Sequence, residues 1–269
     1  YAIHCGLVGS EMCIRVRMNI DIAILGGMGP QAGANYFKIL TDLFSTEKGD
    51  QEHPEVLLYS NSKIPDRAKS VDRNDDAPYQ MLRESLDYLN YLNSKIINIA
   101  CNSIHHWIYK YDLQNEFPSI LTIDKATAEF LETTNEKQEF ILLGTTATTN
   151  TSFYYETFKK HGLKLSKPSD NFQLEISKSI EQIKKNNVQN AVSIMQRAIK
   201  EMGENKYLIA CTELSLIKKQ LKVESNQYVD SAHCMAVMTY AKHLNLEINH
   251  ETLNSTYQKI IDVNLMPNA

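Results

Sequence analysis

Short apolar runs alternate along this chain with longer segments whose apolar residues recur every three or four positions, the pattern of strands interleaved with amphipathic helices. Asn19–Leu25 (NIDIAIL) predicts a strand, followed at once by the turn GGMGPQAG and a helix marked by Tyr36, Phe37, Leu40 and Phe44. Val56–Ser60 predicts a second strand. Pro78–Asn93 predicts a helix with Leu82, Leu86, Leu89 and Leu92 on one face, and the apolar run beyond it ends at Cys101. Ile104, Trp107 and Ile108 mark the next helix. The series then starts again, with a strand at Ser119–Ile123, a helix at Lys125–Glu132, and a strand at Phe140–Leu143 that opens into GTTATTN and the aromatic helix SFYYETF. Amphipathic helices at Asn171–Asn186 and Val188–Met202 lead to a strand at Tyr207–Ala210. Gln227–Asp230 predicts the last strand and Ala232–Leu244 a helix returning to the first half. The segment 247–269 predicts a helix through Leu253, Tyr257, Ile260 and Ile261, read as a packing or dimer element.

Two stretches carry the same design. Ile97–His106 (INIACNSIHH) and Tyr207–Leu214 (YLIACTEL) are each an apolar strand ending in Ala-Cys, followed by residues able to cap a helix: Asn102 and Ser103 in the first, Thr212 in the second. The turns GGMGPQAG and GTTATTN precede them in the same order at similar spacing. An internal duplication follows, and with it an α/β fold of two pseudo-symmetric domains, each a mostly parallel sheet flanked by helices, with the active site in the cleft between them. Residues 18–118 with 226–269 are expected to form the first domain and 119–225 the second. Residues 1–17 show neither periodicity and read as a non-native or disordered leader, with Met18 as the start and with Cys5 and Cys13 carrying no function.

Composition narrows the function. A chain of 269 residues, 43% hydrophobic, has ample material for two ordinary cores. Its formal net charge of −4 at pH 7, without a sustained basic stripe, offers no footprint for nucleic acid or for an anionic membrane. No apolar run approaches a membrane span and no charged region leads into an apolar signal core, so the cytoplasm is the expected location. Five cysteines, an odd number with neither a CxxC pair nor zinc-type spacing, argue against a disulfide framework and against a metal centre. His105 and His106 are adjacent, so on a helix their rings diverge, and a packed or solvated fate outweighs a place in the site.

The candidate chemistry lies with Cys101 and Cys211. A thiol at the carboxyl end of a buried strand faces the crevice where α/β proteins bind ligands, and a helix amino terminus beside it favours the thiolate. Two such thiols from opposite halves suit a site where one takes a proton from one face of a carbon and the other delivers a proton to the opposite face. Inversion of a stereocentre needs that arrangement. The pair must hold one thiolate and one thiol, and it titrates as a pair. The plain alternative, inert strand-end core residues, suits one such cysteine better than two in matched contexts. Arg67, a guanidinium fork on the loop after a strand, suits a bidentate carboxylate contact; the alternative is a solvated charge near Asp66. Thr145, Thr146 and Thr148 offer hydroxyls at the second helix mouth, or simply cap that helix.

With Gly26–Pro30 (GGMGP), Ile64–Arg67 (IPDR), Cys101–Ser103 (CNS), the turn at 144–151 and Cys211–Glu213 (CTE) in this order, the chain resembles the cofactor-independent aspartate/glutamate racemases, most closely the aspartate racemases. The resemblance runs from about Asn19 to Leu244. It implies an isomerase that interconverts L- and D-aspartate, with glutamate as a second substrate, and that uses no pyridoxal phosphate, no other cofactor and no metal. It also implies a homodimer. Carried onto this chain, it implies Cys101 and Cys211 as an acid/base pair that exchanges roles for the two enantiomers. Met28 and neighbouring amides would lie against the substrate, with Asn102, Ser103 and Thr212 on its α-carboxylate and ammonium groups and Arg67 on its distal carboxylate. A lysine that some relatives bring to the substrate from the helix at Asn171–Asn186 aligns with Glu175, with Lys178 one turn on. Asp230 and His233 would support the site from behind.

Other readings stay open. Gly27–Ala32 fits the dinucleotide fingerprint G-x-G-x-x-A between a strand and a helix, the mark of a nicotinamide oxidoreductase. Against it, Pro30 removes an amide at the helix mouth, and the next strand ends in Ser60-Asn61 rather than in a ribose-binding acid. Lyases and isomerases of the same superfamily use one or two cysteines on the same scaffold, and a non-catalytic binding protein could share it.

Overall fold

A computed structural model describes residues 19–45, 49–222 and 224–265; the expected leader at 1–17, with Cys5 and Cys13, and the expected start at Met18 lie outside the described residues. The first half runs β1 (Ile22–Gly26), α1 (Pro30–Phe44), β2 (Val56–Ser60), α2 (Arg67–Asp72), α3 (Ala77–Tyr91), β3 (Ile96–Ile99), α4 (His105–Lys110), α5 (Leu113–Glu116), β4 (Ile120–Leu121) and α6 (Ile123–Thr133). The second runs β5 (Glu139–Leu143), α7 (Thr146–Thr149), α8 (Phe153–Lys160), β6 (Lys164–Ser166), α9 (Asp170–Lys184), α10 (Val188–Met202), β7 (Lys206–Ile209), α11 (Thr212–Ile217), β8 (Tyr228–Asp230) and α12 (Ser231–His243). A final helix, α13 (His250–Leu265), follows.

Both four-stranded sheets are parallel throughout, in the orders β2-β1-β3-β4 and β6-β5-β7-β8. The orders correspond strand for strand, which is the expected pseudo-symmetry. In each sheet the strand leading to a cysteine is internal and ends on the same rung. The Ala100 N–H donates to the Leu25 carbonyl at 2.9 Å, and the Ala210 N–H donates to the Leu143 carbonyl at 2.8 Å.

Runs such as IAILG are apolar at every position because both faces of a parallel sheet are covered; IINI differs only at the buried Asn98, whose Oδ1 accepts from the Tyr36 and Thr239 hydroxyls, each at 3.0 Å. On the outer face of the first sheet, Ile97, Ile99 and Cys101 pack with Leu86 of α3 and Trp107 of α4. On the outer face of the second, Tyr207, Ile209 and Cys211 pack with Ile180 of α9 and Met195 of α10. Alternate residues point the other way, so Ile24, Ala100, Leu142 and Ala210 join α1, α6, α8 and α12 in a core shared by both sheets. The section is helix, sheet, helix, sheet, helix. A strand period of two thus places the cysteines on corresponding faces.

Two strands lie in the other sheet from that implied by the expected domain division. β4 pairs with β3, so the first sheet extends past residue 118, and β8 pairs with β7, so the second extends past 225. The chain crosses between lobes only after these strands, where α6 and α12 enter the shared core and pack on each other. A parallel strand adds at whichever edge is open, and an apolar run does not say which edge that is. β6 is a short edge strand with Lys164 exposed; charge rather than an apolar run marks it, which is why the pattern passed it over. α13 packs on α12, α1 and α6. No helix among the described residues is long and apolar enough to cross a membrane.

Candidate active site

Cys101 and Cys211 line one chamber between the carboxyl ends of the two sheets. The first half also contributes Met28, Arg67, Asn102 and Ser103 to it, and the second half Thr145, Lys184 and Glu213. The chamber has a volume of about 10 Å³, room for about one water. Beside it opens a cavity of about 480 Å³, within the range of small-ligand sites, walled by the Gly27–Ala32 turn, Asp66 and Leu216. Met28, Arg67, Lys184 and Glu213 border both spaces. In this closed arrangement the space beside the cysteines is too small for a ligand larger than water. Polar contacts across the cleft include Ser103 Oγ to Thr145 Oγ1 at 2.7 Å, Thr212 Oγ1 donating to the Ala100 carbonyl at 3.1 Å, and Lys184 Nζ to Asp66 at 3.9 Å.

The thiols depart from the expectation that a helix mouth lowers them. Burial raises Cys101 above the ordinary thiol range; the Arg67 charge opposes this and the Glu213 charge adds to it. Burial, with the Glu213 carboxylate next in weight, holds Cys211 well above that range. Helix α4 begins only at His105, too late to serve Cys101, and Cys211 is the N-cap of a six-residue helix. Desolvation of a buried thiolate outweighs so short a helix. Cys211 Sγ donates to Glu213 Oε2 at 3.2 Å.

Three side chains are set by their neighbours. Asn102 Oδ1 accepts from the Tyr154 hydroxyl at 2.5 Å and from Ser231 Oγ at 3.2 Å, which leaves Nδ2 a buried donor without a partner. His105 bonds the Cys101 carbonyl through Nδ1 at 2.9 Å, and its Nε2 accepts from the Ile123 N–H at 3.1 Å. That pattern defines a neutral ring protonated on Nδ1, and burial lowers its pKa in the same sense. His105 therefore lies outside the chamber and fixes the Cys101 backbone to the start of α6. Arg67 Nη1 donates to the Ile64 and Pro65 carbonyls at 3.2 and 2.8 Å, and Nη2 to the Met28 carbonyl at 2.7 Å. Of the five N–H groups of a guanidinium, these use three; Nε is buried and without a partner.

Thr146 and Thr212 do not line the chamber: Thr146 opens α7, and the Thr212 hydroxyl is committed to the Ala100 carbonyl. Thr148 bonds Ser103 Oγ at 3.2 Å from the second row. Glu175 pairs with Lys178 and Arg197 away from the site, so neither it nor Lys178 supplies the lysine contact. Lys184 stands at the chamber instead. α9 turns Ile176, Ile180 and Ile183 into the core, and its last turn reaches the cleft, a placement that periodicity alone does not reveal. Glu213 belongs to the CTE motif, and its position two residues after Cys211 was the available signal. Asp230 and His233 form a buried cluster with Lys218 that borders neither space. Cys234 is buried and free in the shared core. Among the described residues no group of three or more His, Cys, Asp or Glu could hold a metal ion.

The glycine turn has a packing explanation. Gly27 has φ +92°, and a Cβ there would lie 2.4 Å from the Asn61 backbone. The glycine thus lets the turn close on the loop after β2, with no phosphate needed to account for it.

The fold and site define a two-lobed α/β protein that presents one cysteine from each lobe to a common chamber. Residues 25–239 match the model of the Asp/Glu/Hydantoin racemase family, and the chain belongs to that family. It is similar to the aspartate racemase of Picrophilus torridus, with 26% identity and a TM-score of 0.72 over 88% of this chain and 99% of that one. An aspartate racemase homologue from Pyrococcus horikoshii matches at 25% identity and TM-score 0.61, over 83% of this chain and 99% of that one. Glutamate racemase from Campylobacter jejuni, at 15% identity and TM-score 0.57 over 93% of this chain and 100% of that one, shares the fold. These matches do not favour the nicotinamide reading.

Proposed function

We propose that this protein is a pyridoxal-phosphate-independent aspartate racemase, with glutamate as a second substrate, in which Cys101 and Cys211 act as the two bases. The observation that carries this reading is the equivalence of the thiols: each ends the same internal strand of its sheet, and both line one chamber. In one direction the Cys101 thiolate takes the α-proton and the Cys211 thiol delivers a proton to the opposite face of Cα; in the other the roles exchange. Burial keeps both thiols neutral in the closed chamber, and a bound ammonium group supplies the positive charge that favours one thiolate.

The remaining groups suit the two carboxylates. Nε–H is free of the carbonyl bonds and Nη2 gives only one bond, to the Met28 carbonyl, so the Arg67 guanidinium keeps N–H groups for the distal carboxylate. Lys184 adds a second cation there. The unpartnered Asn102 Nδ2 offers a donor to the α-carboxylate, where it would stabilise charge developing on deprotonation. Closing the lobes excludes water. The likeness to the Picrophilus torridus aspartate racemase supports aspartate as first choice. We assign the enzyme to the cytoplasm, where the free thiols of Cys101, Cys211 and Cys234 stay reduced, and the family resemblance supports a homodimer. The test is incubation with L-aspartate or L-glutamate in heavy water without added cofactor. D-product bearing deuterium at Cα is expected, fastest from aspartate; absence of exchange from both substrates refutes the proposal.

A further inference from the structure

Asn102 stands on the wall of the chamber between Cys101 and Ser103, yet its amide is held from outside the first sheet. The Tyr154 hydroxyl of α8 donates to Oδ1 at 2.5 Å, and Ser231 Oγ of α12 donates to the same atom at 3.2 Å. All three residues are buried, and neither Tyr154 nor Ser231 borders the chamber or the larger cavity. Burial, with the Asp124 charge next in weight, holds the Tyr154 phenol well above its ordinary range, so the hydroxyl keeps its proton near neutral pH. The two ends of an amide have nearly the same shape and opposite polarity, so a half-turn of the side chain exchanges a donor for an acceptor with little change in packing. With Oδ1 turned to two hydroxyls, the end left without a partner is the donor Nδ2. A donor at the chamber wall attracts a carboxylate; an acceptor there repels it and attracts an ammonium group. Four residues earlier the arrangement recurs: Asn98 Oδ1 accepts from the Tyr36 and Thr239 hydroxyls, and its Nδ2 is also unpartnered. Asn98 borders neither space, so there the bonds only tie α1 and α12 to β3.

We infer that Tyr154, assisted by Ser231, is a positioning residue that fixes the Asn102 amide with its N–H end toward the α-carboxylate of the substrate, an inference that rests on the racemase reading above. The phenol touches neither substrate nor sulfur and acts through Asn102. Its ring reaches from α8 through the shared core, so a helix of the second half sets a substrate contact carried by the first. Without the Tyr154 hydroxyl, Ser231 alone holds Oδ1, through the longer of the two bonds. A serine hydroxyl accepts as well as it donates, so the amide then takes up both orientations, the flipped one pairing Nδ2 with Ser231 Oγ. The flipped form is most costly in the transition state, because negative charge grows on the carboxylate as the α-proton leaves.

Tyr154→Phe keeps the ring and deletes the hydroxyl; Ser231→Ala removes the weaker donor and serves if the tyrosine variant does not fold. Two acids separate the ends of aspartate: succinate lacks the ammonium group, and β-alanine lacks the α-carboxylate. By titration calorimetry, Y154F is expected to bind succinate about 10-fold more weakly than the parent and β-alanine within about 2-fold, and S231A to show the same split at about 3-fold. Tyr36→Phe, the same deletion at Asn98, is expected to leave both affinities within about 2-fold. With L-aspartate as substrate, Y154F should lower kcat/KM by about 30-fold in the parent and by no more than about 2-fold in an Asn102→Ala background, since the residue acts through that amide. Equal weakening of both acids, an unchanged succinate affinity, the same split in Y36F, or a Y154F loss that persists in full without Asn102 overturns the positioning role. A parent that shows no exchange at Cα refutes the racemase reading, while a succinate-selective loss in Y154F still upholds the orientation of the amide. If an active parent binds neither acid, the kinetic cycle alone decides; a parent that binds neither and shows no exchange overturns both.

Discussion

Replacing His233 by glutamine should flatten the acid arm of the protein's stability curve. His233 is buried, and Lys218 Nζ stands 2.6 Å from its Nε2 and 2.5 Å from Asp230 Oδ2. Burial first, and then the Lys218 charge, push the imidazole pKa from 6.5 down to about 3, although Asp230 pulls the other way. Burial alone would raise the Asp230 carboxyl, but the Lys218 charge prevails, with hydrogen bonds from Lys218 and Ser215, and holds it below the ordinary range. A histidine with a depressed folded pKa is neutral in the native state while the unfolded chain takes up a proton, so stability falls as pH drops through 6.5 and continues to fall toward the folded value. At about 1.36 kcal/mol per pH unit, this one residue removes about 2 kcal/mol between pH 7 and pH 5. Glutamine keeps a donor and an acceptor without titrating. Urea unfolding followed by circular dichroism at pH 7, 6 and 5 should therefore show the variant losing about 2 kcal/mol less than the parent across that range. His105, which burial also depresses, moves the same way in both proteins and cancels. Parallel curves, within about 0.5 kcal/mol, would refute the claim that His233 is held neutral by its surroundings.

Three further outcomes follow from the site and the fold. Cys101→Ala and Cys211→Ala should each lower kcat for enantiomer interconversion by at least about 10³-fold while leaving the far-ultraviolet dichroism of the parent, and retention of activity in either variant would remove the two-base mechanism. Arg67→Lys keeps the charge but loses the fork that bonds three carbonyls of two loops; kcat/KM for aspartate should fall by about 10²-fold or more and unfolding free energy by about 2 kcal/mol, read by kinetics and by urea titration. Gly27→Ala should cost at least about 2 kcal/mol, because φ +92° and the Asn61 backbone at 2.4 Å both oppose a side chain; a melting temperature equal to the parent's would contradict this.

The sequence by itself determined a good deal. Parallel strands buried on both faces are apolar at nearly every position, so β1, β3, β5 and β7 stood out as runs broken only by Asn98 and by Glu139 and Lys206 at strand starts. The repeated Ala-Cys at strand ends disclosed the duplication, since equivalent strands end at equivalent depth. Cys101, Cys211, Met28, Arg67, Asn102, Ser103 and Thr145 then fell around one chamber. What only the tertiary structure decided is whatever depends on contact between segments distant in the chain. β4 and β8 joined the sheets with open edges, not the sheets their order implied. Lys184 reached the cleft because the last turn of α9 happens to overhang it, whereas Glu175 in the same helix turned away to Arg197. Thr212, matched to Asn102 and Ser103 by sequence, spends its hydroxyl on the other lobe's backbone. The sign of the thiol shifts also came from packing: a sequence shows a helix mouth beside a cysteine, but only the folded lobes show how completely water is withdrawn from the sulfur, and desolvation is the larger effect.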